Sequence, residues 1–167
     1  MRLRTILPAI LCLTSLGLAA LHPACAQTTP EPTTAQKNLP TEQLTVVTAD
    51  GKPHPFTVEI AQTPAQQETG LMFRTAIAAN AGMLFPWPTP QISEMWMKNT
   101  LIPLDMVFIG PHGTIRAISE NTIPQSLRII SSQVPVAATL ELQAGITAQL
   151  NINVGDKVLA PQFTHQP

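Results

Sequence analysis

Between Met95 and Met106 the chain reads MWMKNTLIPLDM, an apolar run in which Trp96, Lys98, Asn99 and Asp105 are the side chains able to do chemistry. An indole, an ammonium and an amide within four residues, with a carboxylate shortly after, are the contents of a small cleft for a polar or anionic ligand. Arg74, at the end of the nearby GLMFR segment, adds a second cation. These five residues, Arg74, Trp96, Lys98, Asn99 and Asp105, form the candidate ligand-binding set. Each has a plainer reading beside it. Arg74 can cap a short helix, Trp96 can be core, and Lys98 and Asp105 can pair across the mouth of the 99–104 connection, which Pro103 stiffens. A nucleophilic lysine at 98 needs a lowered pKa, and a neighbouring carboxylate works against that by favouring the charged form.

Other chemistries are poorly supplied. After the leader the histidines are His54, His112 and His165, with no pair at the spacing of a zinc site, so no metal and no cofactor is expected. Met72, Met83, Met95, Met97 and Met106 could form a thioether Cu(I) carrier. Against that, Met95 and Met97 alternate on what reads as one strand face, with no imidazole nearby, and suit core packing. Ser126 has neither a nucleophile elbow nor a histidine in a motif. Asp105, Glu141 and Asp156 offer carboxylates of the kind glycosidases use, with Glu141 facing away from Leu140 and Leu142, but the chain has no Tyr and few aromatics to stack a sugar. The leading expectation is therefore a non-catalytic domain that binds a small polar ligand or an envelope partner. A hydrolase or lyase acting in the same cleft on a cell-envelope substrate is the alternative.

The elements that must position these residues are mostly strands. Leu44 to Thr48 and Phe56 to Ile60 alternate with period two around Asp50-Gly51, which predicts a hairpin. Thr63-Pro64-Ala65-Gln66 combines a cap, a proline at the first helical position and a glutamine three residues after the cap, so a helix should run to Gly70. Met95 to Lys98, Asp105 to Ile109, Thr114 to Ser119 and Val136 to Leu142 read as further strands, with a turn at Gly110 to Gly113. A helical turn is expected within Ala144 to Leu150, before Gly155-Asp156 opens the last strand. Many short strands closely spaced by turns predict a mainly β fold, a compact sandwich or barrel with one or two short helices.

Several uncommon words occur in a fixed order: VEIAQTPAQQETGLMFR, AGMLF, MWMKNTLIPLDMVFI, Pro124-x-Ser126, LELQAG and LNINVGDKV. Together they resemble the bacterial family called domain of unknown function 192, the UPF0127 group, across Phe56 to about Val158. The resemblance implies a compact β domain of jelly-roll type and carries over no catalytic residue. The chain departs from the family pattern at Gln67, where an Arg is usual, and at Met95, where Phe usually precedes the Trp.

Arg2 and Arg4, the apolar run Ile6 to Leu21 and Ala24-Cys25-Ala26 form an export signal, expected to be cut after Ala26. Residues 1–26 are thus the signal peptide, 27–42 a Thr/Pro-rich tether, 43–161 the single β-domain and 162–167 a loose tail. Both cysteines lie in the signal, so the mature domain holds itself together without a disulfide. Seven basic and ten acidic residues remain, scattered, which gives no footprint for nucleic acid or an anionic membrane. A periplasmic or secreted monomer is expected, without stable membrane insertion once the signal is removed.

Overall fold

The computed structural model describes residues 31–164. Seven strands, β1 (Thr41–Val47), β2 (Pro53–Ile60), β3 (Ala81–Met95), β4 (Leu104–Ile109), β5 (Ile115–Ser119), β6 (Ile130–Gln143) and β7 (Lys157–Leu159), make one sheet in the order β5-β4-β6-β3-β2-β1-β7. All neighbours are antiparallel except β2 and β3, which are parallel and joined by a crossover containing the helix α1 (Pro64–Thr69). The sheet curls until its two edges meet. Ile115 N–H donates to the Asp156 carbonyl at 2.9 Å, and Val158 N–H to the Gly113 carbonyl at 2.7 Å, so β5 and β7 share a short seam. This is the expected mainly β class, resolved as a curled, nearly closed sheet.

Alternation along each strand creates two apolar faces. The inner cluster takes residues from all seven strands, including Leu44, Phe56, Leu84, Val107, Ile115, Leu140 and Val158. The outer cluster uses the opposite positions, Met83, Phe85, Met106 and Phe108, and is covered by Leu71 and Met97 from connecting segments. Two further short helices, α2 (Ile146–Gln149) and α3 (Pro161–Thr164), follow β6 and β7.

The structure differs from the sequence expectations at specific places. β3, a strand over Ala81–Met95 for which no expectation was drawn, runs through Pro86, Pro88 and Pro90, although proline cannot donate to a ladder. The sheet accommodates them by a register shift: Pro86 opposes Ala138, and the next pairing is Gln91 with Val136. Met95 to Lys98 is not a strand; Met95 ends β3 and Lys98-Asn99 form a turn. Met95 and Met97 therefore share no strand face. Met97 is fully buried in the outer cluster, its sulfur accepting from the Thr122 hydroxyl at 3.2 Å, and Met95 packs against that cluster. β1 begins at Thr41, three residues before the expected strand start at Leu44, and Gln36 of the preceding segment is docked, its amide donating to the Gln66 and Gly70 carbonyls at 3.0 and 2.8 Å. The expected signal at 1–26 lies outside the described residues. No helix among the described residues is long and apolar enough to cross a membrane.

Candidate functional site

Leu140 and Leu142 of β6 point into the inner cluster, so the period of two turns Glu141 onto the opposite face. There its cross-strand neighbours are Met83 of β3 and Met106 of β4, both fully buried thioethers. Glu141 is 4 % exposed and, among the described residues, its carboxyl has no hydrogen-bond partner. Thr139, two positions earlier on the same face, is satisfied by the Ser93 hydroxyl at 2.8 Å. Burial in this apolar setting raises the Glu141 pKa to about 8, so the group holds its proton at neutral pH.

The carboxyl opens into a cleft of about 210 Å³. Phe85, Leu71 and Met72 supply apolar floor, and Trp87, Trp96, Lys98 and Thr100 form walls. The Trp87 indole nitrogen is buried with no partner among the described residues. An indole N–H can only donate, so this is an unsatisfied donor inside the cleft wall, closed off from the opening. At the outer wall Trp96 is 40 % exposed and carries the Lys98 ammonium 5.3 Å from its ring centre. Exposed Glu68 and Glu94 stand at the margin.

Local sequence explains the cleft's position. In α1 the Thr63 hydroxyl accepts from Gln66 N–H at 3.3 Å and the Gln66 side chain accepts from Thr63 N–H at 2.9 Å, a reciprocal cap that fixes the helix start. The helix ends at Gly70, with φ of 46°, where a β-carbon would sit 3.2 Å from the Phe85 ring. The following turn places Phe73 in the left-handed region, costly for a bulky residue, and its N–H donates to the Asn99 carbonyl at 2.9 Å. Two loops are thereby locked side by side over the outer cluster.

Of the five candidates, only Trp96 and Lys98 line this cleft. Asn99 braces it from behind, with φ of 55° and its amide 3.8 Å from the Met72 sulfur. Arg74 is 2.6 Å from Glu59 of β2 and also donates to the Gln36 carbonyl at 3.1 Å, which ties the loop to β2 and to the leading segment. Asp105, 0 % exposed, lies on the other side of the sheet. Its carboxylate accepts from Asn121 N–H at 2.9 Å, Thr147 N–H at 3.0 Å and the Thr147 hydroxyl at 2.7 Å. Among the described residues Lys98 and Asp105 form no ion pair. Strand alternation sends Asp105 inward, away from the lysine.

The family profile of DUF192, described as Uncharacterized ACR, matches residues 45–160, most of the chain. The chain belongs to DUF192. A solved structure from Sinorhizobium meliloti, described as a "putative transcription regulator", is 44% identical with a TM-score of 0.74, covering 76% of this chain and 98% of its own. A Novosphingobium aromaticivorans protein of unknown function is 38% identical with a TM-score of 0.71, covering 73% of this chain and 86% of that one. No curated protein matches.

In this DUF192 domain Gln67, standing where the family pattern tends to have Arg, donates its amide to the Pro86 carbonyl at 3.0 Å and so ties α1 to β3 without a charge. Glu141 and Trp87 were absent from the candidate set. The signal for Glu141 was present in LEL, a carboxylate between two core leucines on a strand that reads as buried on both faces. Trp87 gave no usable signal, because WPTP reads as a break rather than as strand.

Proposed function

We propose that this DUF192 domain is a non-catalytic binder of a small polar ligand in the cleft above Glu141. One observation carries the reading: the Glu141 carboxyl, 4 % exposed, set among apolar side chains and without a protein hydrogen-bond partner, faces the cleft walled by Trp96 and Lys98. Such a group costs stability and fastens nothing, and a perturbed, unpartnered carboxyl in a cleft is characteristic of ligand sites. Trp96 and Lys98 form the outer lip. Glycan hydrolysis in the same cleft is served less well, since a second carboxylate would have to face the same bond and Glu68 and Glu94 are exposed at the margin. Export to the periplasm, read from the leader, makes a cell-envelope metabolite or fragment the natural ligand pool. The scattered charge of the chain argues against nucleic acid, whatever the description of its Sinorhizobium relative.

A thermal-shift screen against sugars, amino acids, nucleotides and cell-wall fragments tests this, with Glu141→Leu as the control. A ligand that raises the melting temperature of the native protein and not of the variant supports the site. Ligands that stabilise both equally, or none at all, remove it.

A further inference from the structure

A carboxyl only 4 % exposed at the base of a cleft is reached when a wall moves. The walls differ in how they are held. Phe85 and Trp87 belong to β3, the 96–100 loop is pinned by fully buried Met97, and Leu71 and Met72 are buried just beyond Gly70. α1, by contrast, buries no residue at all. It spans the gap between two anchored points, Ala61 at 0 % and Leu71 at 2 % exposure, and residues 62–69 between them are exposed or half-buried. A helix of six residues without a buried apolar face has little stability of its own, so polar contacts decide where it lies.

Those contacts are few. The Thr63 cap closes the helix on itself, and Gln67 donates to the Pro86 carbonyl of β3 at 3.0 Å. At the other end the holding group comes from outside the helix, where the Gln36 amide donates to the Gln66 and Gly70 carbonyls. Gln36 is itself seated. Its carbonyl accepts from Arg74 Nη2 at 3.1 Å, the same nitrogen that meets Glu59 at 2.6 Å. Four residues on, the Pro40 carbonyl accepts from Ile60 N–H at 2.8 Å, while Leu39 packs on the outer cluster. This segment lies ahead of residues 45–160, the part that matches the family.

We propose that α1 is a lid over Glu141, hinged at Gly70, and that Gln36 is its latch, so that the segment preceding the family domain sets how often the cleft opens. Gly70 suits the hinge: its φ of 46° favours a residue without a β-carbon, and its buried place against Phe85 keeps the far side fixed. Elements held by few buried contacts are the ones that open locally while the rest of a fold stays closed. The lid deepens the binding reading above and rests on it for what passes through; the motion itself is measured without a ligand.

The test labels the carboxyls of the full protein with a water-soluble carbodiimide and glycine amide, reading each site by mass spectrometry, with amide hydrogen exchange in parallel. Glu94, exposed, reports the strength of the reagent, and Asp105, buried on the other side of the sheet, reports opening of the whole fold. In the native protein Glu141 should label far more slowly than Glu94. Gln36→Ala deletes two hydrogen bonds to the lid, so Glu141 labelling and exchange at the Gln67 and Gly70 amides should each quicken about tenfold. Asp105 labelling, and exchange at the Phe73 amide beyond the hinge, should stay as in the native protein. Gln43→Ala, which removes a surface hydrogen bond to Thr57, should change none of these rates. Labelling of native Glu141 as fast as Glu94, or an unchanged Glu141 rate in Gln36→Ala, would overturn the lid. So would a joint rise at Glu141 and Asp105, because Gln36 would then brace the fold as a whole. A lid that meets these expectations while the thermal-shift screen yields no compound supports the gate and removes the binding reading alone.

Discussion

The Lys98 ammonium sits 5.3 Å from the centre of the Trp96 ring, a cation–π contact at the lip of the cleft and not in the core. At a site this exposed such a contact contributes roughly 0.5–1 kcal/mol. Trp96→Ala should therefore lower unfolding free energy by about 1 kcal/mol, measured by urea denaturation, while weakening ligand binding several-fold. A loss above about 3 kcal/mol would put Trp96 among the core aromatics.

Glu141 makes stability depend on pH in an unusual direction. Its pKa is about 8 in the folded state against an ordinary 4.5, so between those values the folded state holds a proton that the unfolded state has released. The contribution is complete below about pH 4.5 and is lost as pH rises toward 8, by up to about 5 kcal/mol. Urea midpoints from pH 5 to 9 should fall steadily for the native protein. Glu141→Gln, which cannot ionise, should flatten that slope; an unchanged slope would assign it to other groups.

Glu141→Leu separates function from folding. The carboxyl has no partner to strand, and exchanging a buried polar group for an apolar one of similar size is often neutral or stabilising. The variant should melt at or above the native temperature while losing the ligand. Strong destabilisation would instead make Glu141 a structural residue.

What was legible in the sequence followed from local rules. The 44–60 hairpin, the capped helix at 63–70 and the strands at 105–109, 114–119 and 136–142 all appear, because alternation and capping act within a few residues of each other. The site was only half legible. Trp96 and Lys98 were visible as oddities in an apolar run, but their companions come from β3 and β6, and only the register that sets Met83 against Glu141 brings those strands under the 96–100 loop. Lys98 and Asp105 looked like a pair because they are near in sequence. The turn at Lys98-Asn99 and the alternation of β4 send them to opposite sides of the sheet.

Asp105 is the better test of that separation. Three donors converge on its carboxylate, two from Thr147 and one from Asn121, joining β4 to α2 and to the turn after β5. Asp105→Asn turns one acceptor into a donor facing donors, and should cost about 2–4 kcal/mol in denaturant titration. Lys98→Met should cost little. The double variant should be additive within about 0.5 kcal/mol, since the two residues share no partner; coupling above about 1 kcal/mol would restore the clasp across the loop.

Gly82 is where the backbone beneath the site is tightest. It lies on β3 opposite Leu142, and a β-carbon there would stand 2.7 Å from the Glu141 carbonyl oxygen, 2.9 Å from Leu142 Cδ2 and 3.3 Å from Leu140 Cδ1. The leucine methyls can rotate aside, but the carbonyl is held by the strand and cannot. Gly82→Ala should therefore push β6 away from β3 at the residue that carries the cleft's carboxyl, costing about 1–3 kcal/mol as an overpacked site and weakening ligand binding as well. Gly51→Ala is the control. Its φ of 81° makes alanine strained by about 1 kcal/mol, yet nothing lies within 4 Å of the added carbon and the hairpin turn is absent from the cleft lining. Both variants should unfold at lower urea concentration, and only Gly82→Ala should lose affinity in calorimetry. Equal affinity in the two would mean that the Glu141 backbone can shift without disturbing the site.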